Sequence, residues 1–210
     1  MNEINNGCAA AGQPIGDPDK KYKILALFGQ SGSGKDTILK EVLKRRSDFN
    51  QIILYTTRPP RQNEINGKDY YFVDPGIFLE KVMDGSMLEV QQFNNWFYGT
   101  SIGSLKQDKL NIGVFSISSI EMLLENEELD ILPIFIFAQD KIRLLRQLNR
   151  ENVPNCNEIC RRFQTDRQDF SYIPFKNFEM VWNNANTKAN LFGAVNDIIS
   201  FGQNHLKTLV

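Results

Sequence analysis

Lys23-Ile24-Leu25-Ala26-Leu27-Phe28-Gly29-Gln30-Ser31-Gly32-Ser33-Gly34-Lys35-Asp36-Thr37 reads as a buried strand, a glycine loop and a helix start in succession. The apolar run ends at Gly29. Beyond Gly34, Ile38, Leu39, Val42 and Leu43 recur at helical spacing, with Lys40, Glu41 and Lys44 opposite. In the loop, Gly29, Gln30, Ser31, Gly32, Ser33 and Gly34 are mostly small, so backbone N–H groups can turn inward around a phosphate. The helix N-terminus adds a favourable dipole. Lys35 is then a mobile cation for the β- and γ-phosphates of a nucleoside triphosphate. The next residue is Asp36, where the usual motif has a Ser or Thr that holds Mg²⁺, and Thr37 follows one position late. Asp36 is either a hard oxygen ligand for magnesium or a solvated carboxylate favourable to the helix dipole; both readings stay open.

Working outward, apolar runs at Ile52–Tyr55, Val114–Ile117, Ile131–Phe137 and Met180–Trp182 read as strands. Helical patterns at Ile120–Glu127, Lys141–Arg150, Glu158–Asp169 and Ala189–Leu206 separate them. This alternation predicts an α/β P-loop fold with a parallel core sheet flanked by helices on both faces. Residues 56–100 differ: aromatic and polar residues alternate there, with turn signals at Asn66-Gly67 and Asp84-Gly85, which predicts an inserted strand-rich subdomain. The polar segment Asn149–Asn157 contains Pro154 and joins two helices bearing Arg146, Arg150, Arg161 and Arg162. It reads as a mobile helical lid over about residues 146–162.

Composition sets the limits. A chain of 210 residues, 41% hydrophobic and 23% charged, is that of an ordinary globular protein. A net charge of −1 offers no general attraction to nucleic acid or membrane surfaces, so phosphate binding must rest on local cations. No apolar run approaches the roughly 18 residues of a membrane span, and the N-terminus lacks the pattern of a secretory signal. Residues 1–21 read as a flexible tail. Cys8, Cys156 and Cys160 give no disulfide framework and suit a reducing cytoplasm. Cys156 and Cys160 share a helix spacing, but no further ligand accompanies them, which favours packing over zinc.

About twenty residues beyond the glycine loop stands Thr56-Thr57-Arg58-Pro59-Pro60-Arg61, continued by Glu64-Ile65-Asn66-Gly67-Lys68-Asp69-Tyr70-Tyr71-Phe72-Val73. Prolines stiffen the backbone between Arg58 and Arg61, and two guanidinium forks can grip one terminal phosphate from two sides. Two separate phosphate grips on one chain are the equipment of a phosphotransferase.

These two segments, and the chain around them from about residue 22 to 206, resemble the guanylate kinases, which are P-loop nucleoside monophosphate kinases. The Thr-Thr-Arg-x-Pro-Arg run followed by Asn-Gly-x-Asp-Tyr carries the resemblance more specifically than the glycine loop does. It implies a kinase domain over residues 22–208, with a core at 22–55 and 101–208 and a monophosphate-binding subdomain at 56–100. The donor is expected to be ATP with Mg²⁺ and the acceptor GMP or dGMP, small nucleotides being the only partners of a monomer or homodimer. The resemblance assigns Arg58, Arg61, Tyr70 and Tyr98 to the acceptor phosphate, and Glu89 and Thr100 to guanine. It assigns Lys35, Arg146, Arg150 and Arg162 to the transferring phosphoryl group, with Arg161 as a substitute for Arg162, and Asn183 to the region of the donor adenine. A carboxylate at Glu89 suits guanine, whose N1–H and N2–H₂ are a donor pair that adenine lacks.

The pattern is broken in places. Leu54 stands where the family has a serine that helps read the base. Ser116-Ile117-Ser118 replaces an Asp-x-Asp, so Ser118 occupies the slot of an acid near guanine and Ser116 that of one near magnesium. Two other readings accompany the main one. Ser33-Gly34-Lys35-Asp36 also matches glycine loops of ribose 1,5-bisphosphate kinases, and guanylate-kinase-like modules exist that bind without catalysis.

Overall fold

The expected strand and glycine loop form as β1 (Tyr22–Phe28), a loop over residues 29–34, and α1 (Lys35–Arg45). A computed structural model describes residues 20–61, 64–150 and 152–207. Nearly all of the expected tail, with Cys8, lies outside the described residues. The described chain folds as two compact units, one of residues 53–104 and the other of residues 21–52 and 105–207.

In the larger unit, β1 lies at the centre of a five-stranded sheet. The other strands are β2 (Phe49–Gln51), β7 (Leu110–Val114), β8 (Leu129–Phe137) and β9 (Glu179–Trp182), in the order β2-β7-β1-β8-β9, and every pairing is parallel. Both faces of a central strand must be apolar, and all but one of the β1 residues are fully or nearly fully buried. Leu25, Leu27, Ile134 and Ile136 pack with Ile38 and Val42 of α1 and with Val195 and Ile198 of α6 (Lys188–Lys207). On β1, Phe28 meets Phe135, Phe170, Phe175 and Phe178 at ring-centroid distances of 5.2–6.4 Å. α3 (Ile117–Leu124) packs on β8, and α4 (Asp140–Leu148) on α5 (Cys156–Asp169).

The smaller unit is a four-stranded sheet of β3 (Tyr55–Thr56), β4 (Tyr71–Phe72), β5 (Met87–Phe93) and β6 (Trp96–Ser101), in the order β4-β3-β6-β5. It also holds α2 (Pro75–Met83), which the strand-rich reading did not include. Its start signal was present: Asp74 accepts from the N–H groups of Gly76 and Ile77, and Pro75 opens the first turn.

Two expected strands are displaced. The run Val114–Ile117 is not a strand: β7 ends at Val114, and Ile117 opens α3 behind the capping hydroxyl of Ser116. The true strand was hidden by its polar member Asn111. That residue is fully buried and satisfied, donating to the carbonyls of Lys23 and Lys106 at 3.0 and 2.9 Å. The run Ile52–Tyr55 instead spans the passage from one unit to the other, between β2 and β3.

Candidate active site

The glycine loop is shaped by left-handed backbone and by close neighbours. Gly32 and Gly34 have φ of +80° and +97°. A Cβ on Gly32 would lie 2.6 Å from the Arg143 carbonyl oxygen, and one on Gly34 would lie 2.5 Å from Asn183 Nδ2. α2, α3 and α5 are capped by the side chains of Asp74, Ser116 and Asn155, but Gly34 gives α1 no side-chain cap. The first-turn amides of α1 are thus left for an anion. Inside the loop, Ser33 Oγ is buried and has no hydrogen-bond partner among the described residues. Lys35 Nζ donates to the carbonyls of Gly29 and Gln30 at 2.5 and 3.1 Å. Burial lowers its pKa and Arg143 adds to that, against the opposing pull of Asp36 and Asp166. The ammonium rests on two neutral carbonyls, which a phosphate can replace as a better partner.

Asn183 and Arg146 border this loop. Asn183 is buried and donates through Nδ2 to Ser33 O at 2.7 Å. Arg146 donates to Gly32 O and Ser33 O at 3.2 and 3.0 Å, and to Asn183 O, Ala185 O and Asn186 Oδ1 at 2.7–3.1 Å. Its guanidinium therefore joins the loop to the segment after β9, and its burial lowers its pKa.

Arg150 and Arg162 line one small pocket of about 90 Å³ with Glu158. Glu158 accepts from Arg162 Nε at 2.6 Å and from Arg161 Nε at 2.7 Å, and these bonds hold its carboxyl down at about 2. A depressed carboxyl contributes stability that is complete above its ordinary value of 4.5 and is lost as the pH falls toward 2. Glu158→Gln should remove that part of the acid sensitivity, read as a shallower fall of the urea midpoint between those pH values. An identical fall in both proteins would contradict the assignment.

The smaller unit carries the second grip. Arg58 is only 5% exposed, and its guanidinium lies 5.5 Å from the ring centres of both Tyr70 and Phe72. Glu64, to which the family resemblance assigns no role, holds the same guanidinium bidentately at 2.9 and 3.0 Å and accepts from the Arg61 N–H at 2.7 Å. Burial would raise the Glu64 carboxyl, yet the bonds from Arg58 and Arg61 outweigh it and hold the carboxyl low. Tyr98 lies 6.1 Å from Tyr70, edge to face, while Arg61 is exposed. On the paired strands β5 and β6, Glu89 faces Thr100, whose hydroxyl donates to Glu89 Oε1 at 2.7 Å. Glu89 is 4% exposed.

Arg58, Tyr70 and Tyr98 thus cluster around one guanidinium in the smaller unit, and Lys35, Asn183 and Arg146 gather at the glycine loop in the larger. Ser118 lies in the first turn of α3, 3.2 Å from Ser116 Oγ. The buried Arg143 and its partner Asp166, both at the loop, were not expected. Charged residues on helices ordinarily read as a solvated face, and their partnership joins two helices. Asp36 and Thr37 are exposed in the first turn of α1, next to Lys35. They are oxygen donors of the kind that suits Mg²⁺, which takes one or two protein oxygens and keeps much of its water. No group of three or more His, Cys, Asp or Glu that could hold a metal occurs among the described residues. No helix among them is long and apolar enough to cross a membrane.

The guanylate kinase family model matches residues 21–199. The guanylate kinase of Wolbachia sp. subsp. Brugia malayi is 33% identical over 153 residues, covering 70% of this chain and 78% of its own. That of Sus scrofa is 32% identical over 150 residues, covering 69% and 75%. The crystal structure of guanylate kinase from Anaplasma phagocytophilum superposes with a TM-score of 0.66 at 19% identity, covering 88% of this chain and 86% of that one, a likeness of fold.

Proposed function

The chain belongs to the guanylate kinase family, and from that premise we infer that it transfers the γ-phosphoryl group of ATP to the phosphate of GMP or dGMP. The observation that carries the choice of base is the buried carboxylate of Glu89, held by the Thr100 hydroxyl. Guanine offers it N1–H and N2–H₂. Adenine lacks that donor pair and would bring the buried carboxylate no matching partners in place of the water it displaces.

The donor triphosphate binds in the glycine loop, with Lys35 leaving the Gly29 and Gln30 carbonyls for the β- and γ-phosphates and Ser33 Oγ gaining a partner. Asp36 and Thr37 are the residues that would hold Mg²⁺, and the ion would there neutralise charge on the phosphate oxygens. Arg58 and Arg61 bind the acceptor phosphate. For Arg58 the phosphate competes with Glu64, and the carboxylate keeps the fork oriented beforehand. Arg150, and Arg162 once it leaves Glu158, serve the transferring group. No covalent intermediate on the protein is needed, because positioning and charge stabilisation suffice. The exposed, unbridged thiols of Cys156 and Cys160 suit a cytoplasmic setting.

A site that hydrogen-bonds its substrate rejects analogues lacking those groups by about 10⁴–10⁵. Leu54 makes no polar contact through its side chain, and Ser118 offers a neutral hydroxyl. Each lost charge-assisted bond removes about one to two decades of discrimination. GMP should therefore exceed AMP in kcat/KM by less than that full ratio but by far more than one. Calorimetric titration tests the base assignment: Glu89→Gln should weaken GMP binding and narrow its margin over AMP. Unchanged GMP affinity in a folded variant would remove Glu89 from the site.

The lid reading has its own test. Proteolytic cleavage within residues 149–157 should slow when GMP and a non-hydrolysable ATP analogue are both bound. Equal cleavage with and without them would argue against closure.

A further inference from the structure

We propose that Arg143 and Asp166 form a strut that fixes the donor loop at Ser31, and that ATP affinity depends on it. The proposal rests on the reading of the glycine loop as the ATP grip.

Arg143, on α4, is 0% exposed. Its Nε donates to Ser31 O at 3.0 Å, Nη1 to Asp140 Oδ1 at 2.9 Å and Nη2 to Asp166 Oδ2 at 2.7 Å. Its face lies 5.0 Å from the centre of the Phe163 ring. Asp166, on α5, accepts from the Ser31 N–H at 2.7 Å through Oδ2, and Ser31 Oγ donates to its Oδ1 at 3.3 Å. The amide, carbonyl and hydroxyl of one loop residue are thus engaged by this pair.

A buried ion pair is weak evidence for stability, because desolvation offsets much of the attraction. Its directional bonds specify a geometry instead. The loop they act on has positive φ at Gly29, Gly32 and Gly34, and so has the freedom to adopt many shapes in which its amides do not converge. Pinning both peptide groups that flank the Ser31 Cα narrows that freedom before the ligand arrives, which lowers the ordering cost of binding. α4 and α5 also flank the segment proposed as the lid, so the strut ties the donor loop to both of its arms. Arg143 and Asp166 are positioning residues: they act through Ser31 and are assigned no contact with the nucleotide.

Two variants separate this role from general stability. Asp166→Asn keeps the shape but removes the charge that strengthens the bonds from Ser31 N–H and Arg143 Nη2, both of which go to Oδ2. Arg143→Met/Asp166→Leu replaces the pair with apolar groups, a swap that is often neutral or stabilising at buried pairs. Both should weaken binding of a fluorescent ATP analogue about tenfold and raise KM for ATP more than they lower kcat. Amide hydrogen exchange over residues 29–35 should quicken, while GMP affinity stays unchanged. If the double variant fails to fold, Asp166→Asn decides alone on the same readouts. Unchanged analogue affinity in a folded variant overturns the proposal, and so does an equal loss for the analogue and for GMP. Wild type and Lys35→Ala are titrated alongside: a wild type that does not bind the analogue overturns the donor-site reading itself, whereas a binding wild type with unaltered variants overturns the strut alone.

Discussion

Lys35→Ala should lower kcat by about 10²–10³ while leaving the melting temperature nearly unchanged, the scale seen when one preorganised charge-stabilising donor is lost. The ammonium lies on the carbonyls of Gly29 and Gln30 at 2.5 and 3.1 Å and touches none of the apolar core formed by Leu25, Leu27, Ile38 and Val42. Its removal costs two hydrogen bonds to loop carbonyls and no apolar packing of the core sheet, so folding loses little. In the transition state, charge spreads over the oxygens of the transferring phosphoryl group and no neighbouring cation replaces Lys35. Arg146 is engaged with the carbonyls of Gly32, Ser33, Asn183 and Ala185, and Arg143 with Ser31, Asp140 and Asp166. Single-turnover kinetics beside thermal melts measure both halves of the expectation. A folded variant with near-normal turnover would show that the loop is not the catalytic cradle.

The second large effect falls on the acceptor. Arg61→Ala should raise KM for GMP and lower kcat, a loss of about one to two decades in kcat/KM for one charge-assisted bond, with KM for ATP little changed. Arg58→Ala should cost more, for a reason visible in its surroundings. Removing its guanidinium leaves Glu64, whose side chain is only 19% exposed, with the Arg61 N–H but without the Arg58 counter-ion, a carboxylate beside the phosphate. The acceptor then meets repulsion as well as a missing donor. Arg58→Ala/Glu64→Gln should accordingly recover part of the loss. A selective rise in KM for ATP in any of these variants would mean that the two grips are assigned the wrong way round.

What the sequence made legible follows from how local each signal is. The strand, loop and helix around Gly29–Lys35 are contiguous, and their apolar periods are unbroken, so the parallel core sheet could be read directly. β7 was misplaced because Asn111 interrupts its apolar run, and its burial is understandable only from partners at Lys23 and Lys106. α2 was overlooked behind the aromatic alternation around it, although Asp74-Pro75 is a sound start signal. At the site, residue types next to one another in sequence were found. Arg143 was not, since its partner Asp166 lies on a different helix and the two meet only at Ser31. Glu64 stood in the quoted run, but its hold on Arg58 depends on the turn that brings a carboxylate back onto the fork.

Transfer of a phosphoryl group from ATP to a guanine nucleotide is measured as ADP release by the purified protein with ATP and Mg²⁺, coupled to a spectrophotometric readout. The acceptor panel holds GMP, dGMP, AMP, CMP, dTMP and ribose 1,5-bisphosphate. GMP and dGMP should accelerate release far above every other acceptor, and that acceleration should vanish in Lys35→Ala. Fastest release with ribose 1,5-bisphosphate, or no acceleration by any acceptor in a folded protein that binds nucleotide, would contradict it.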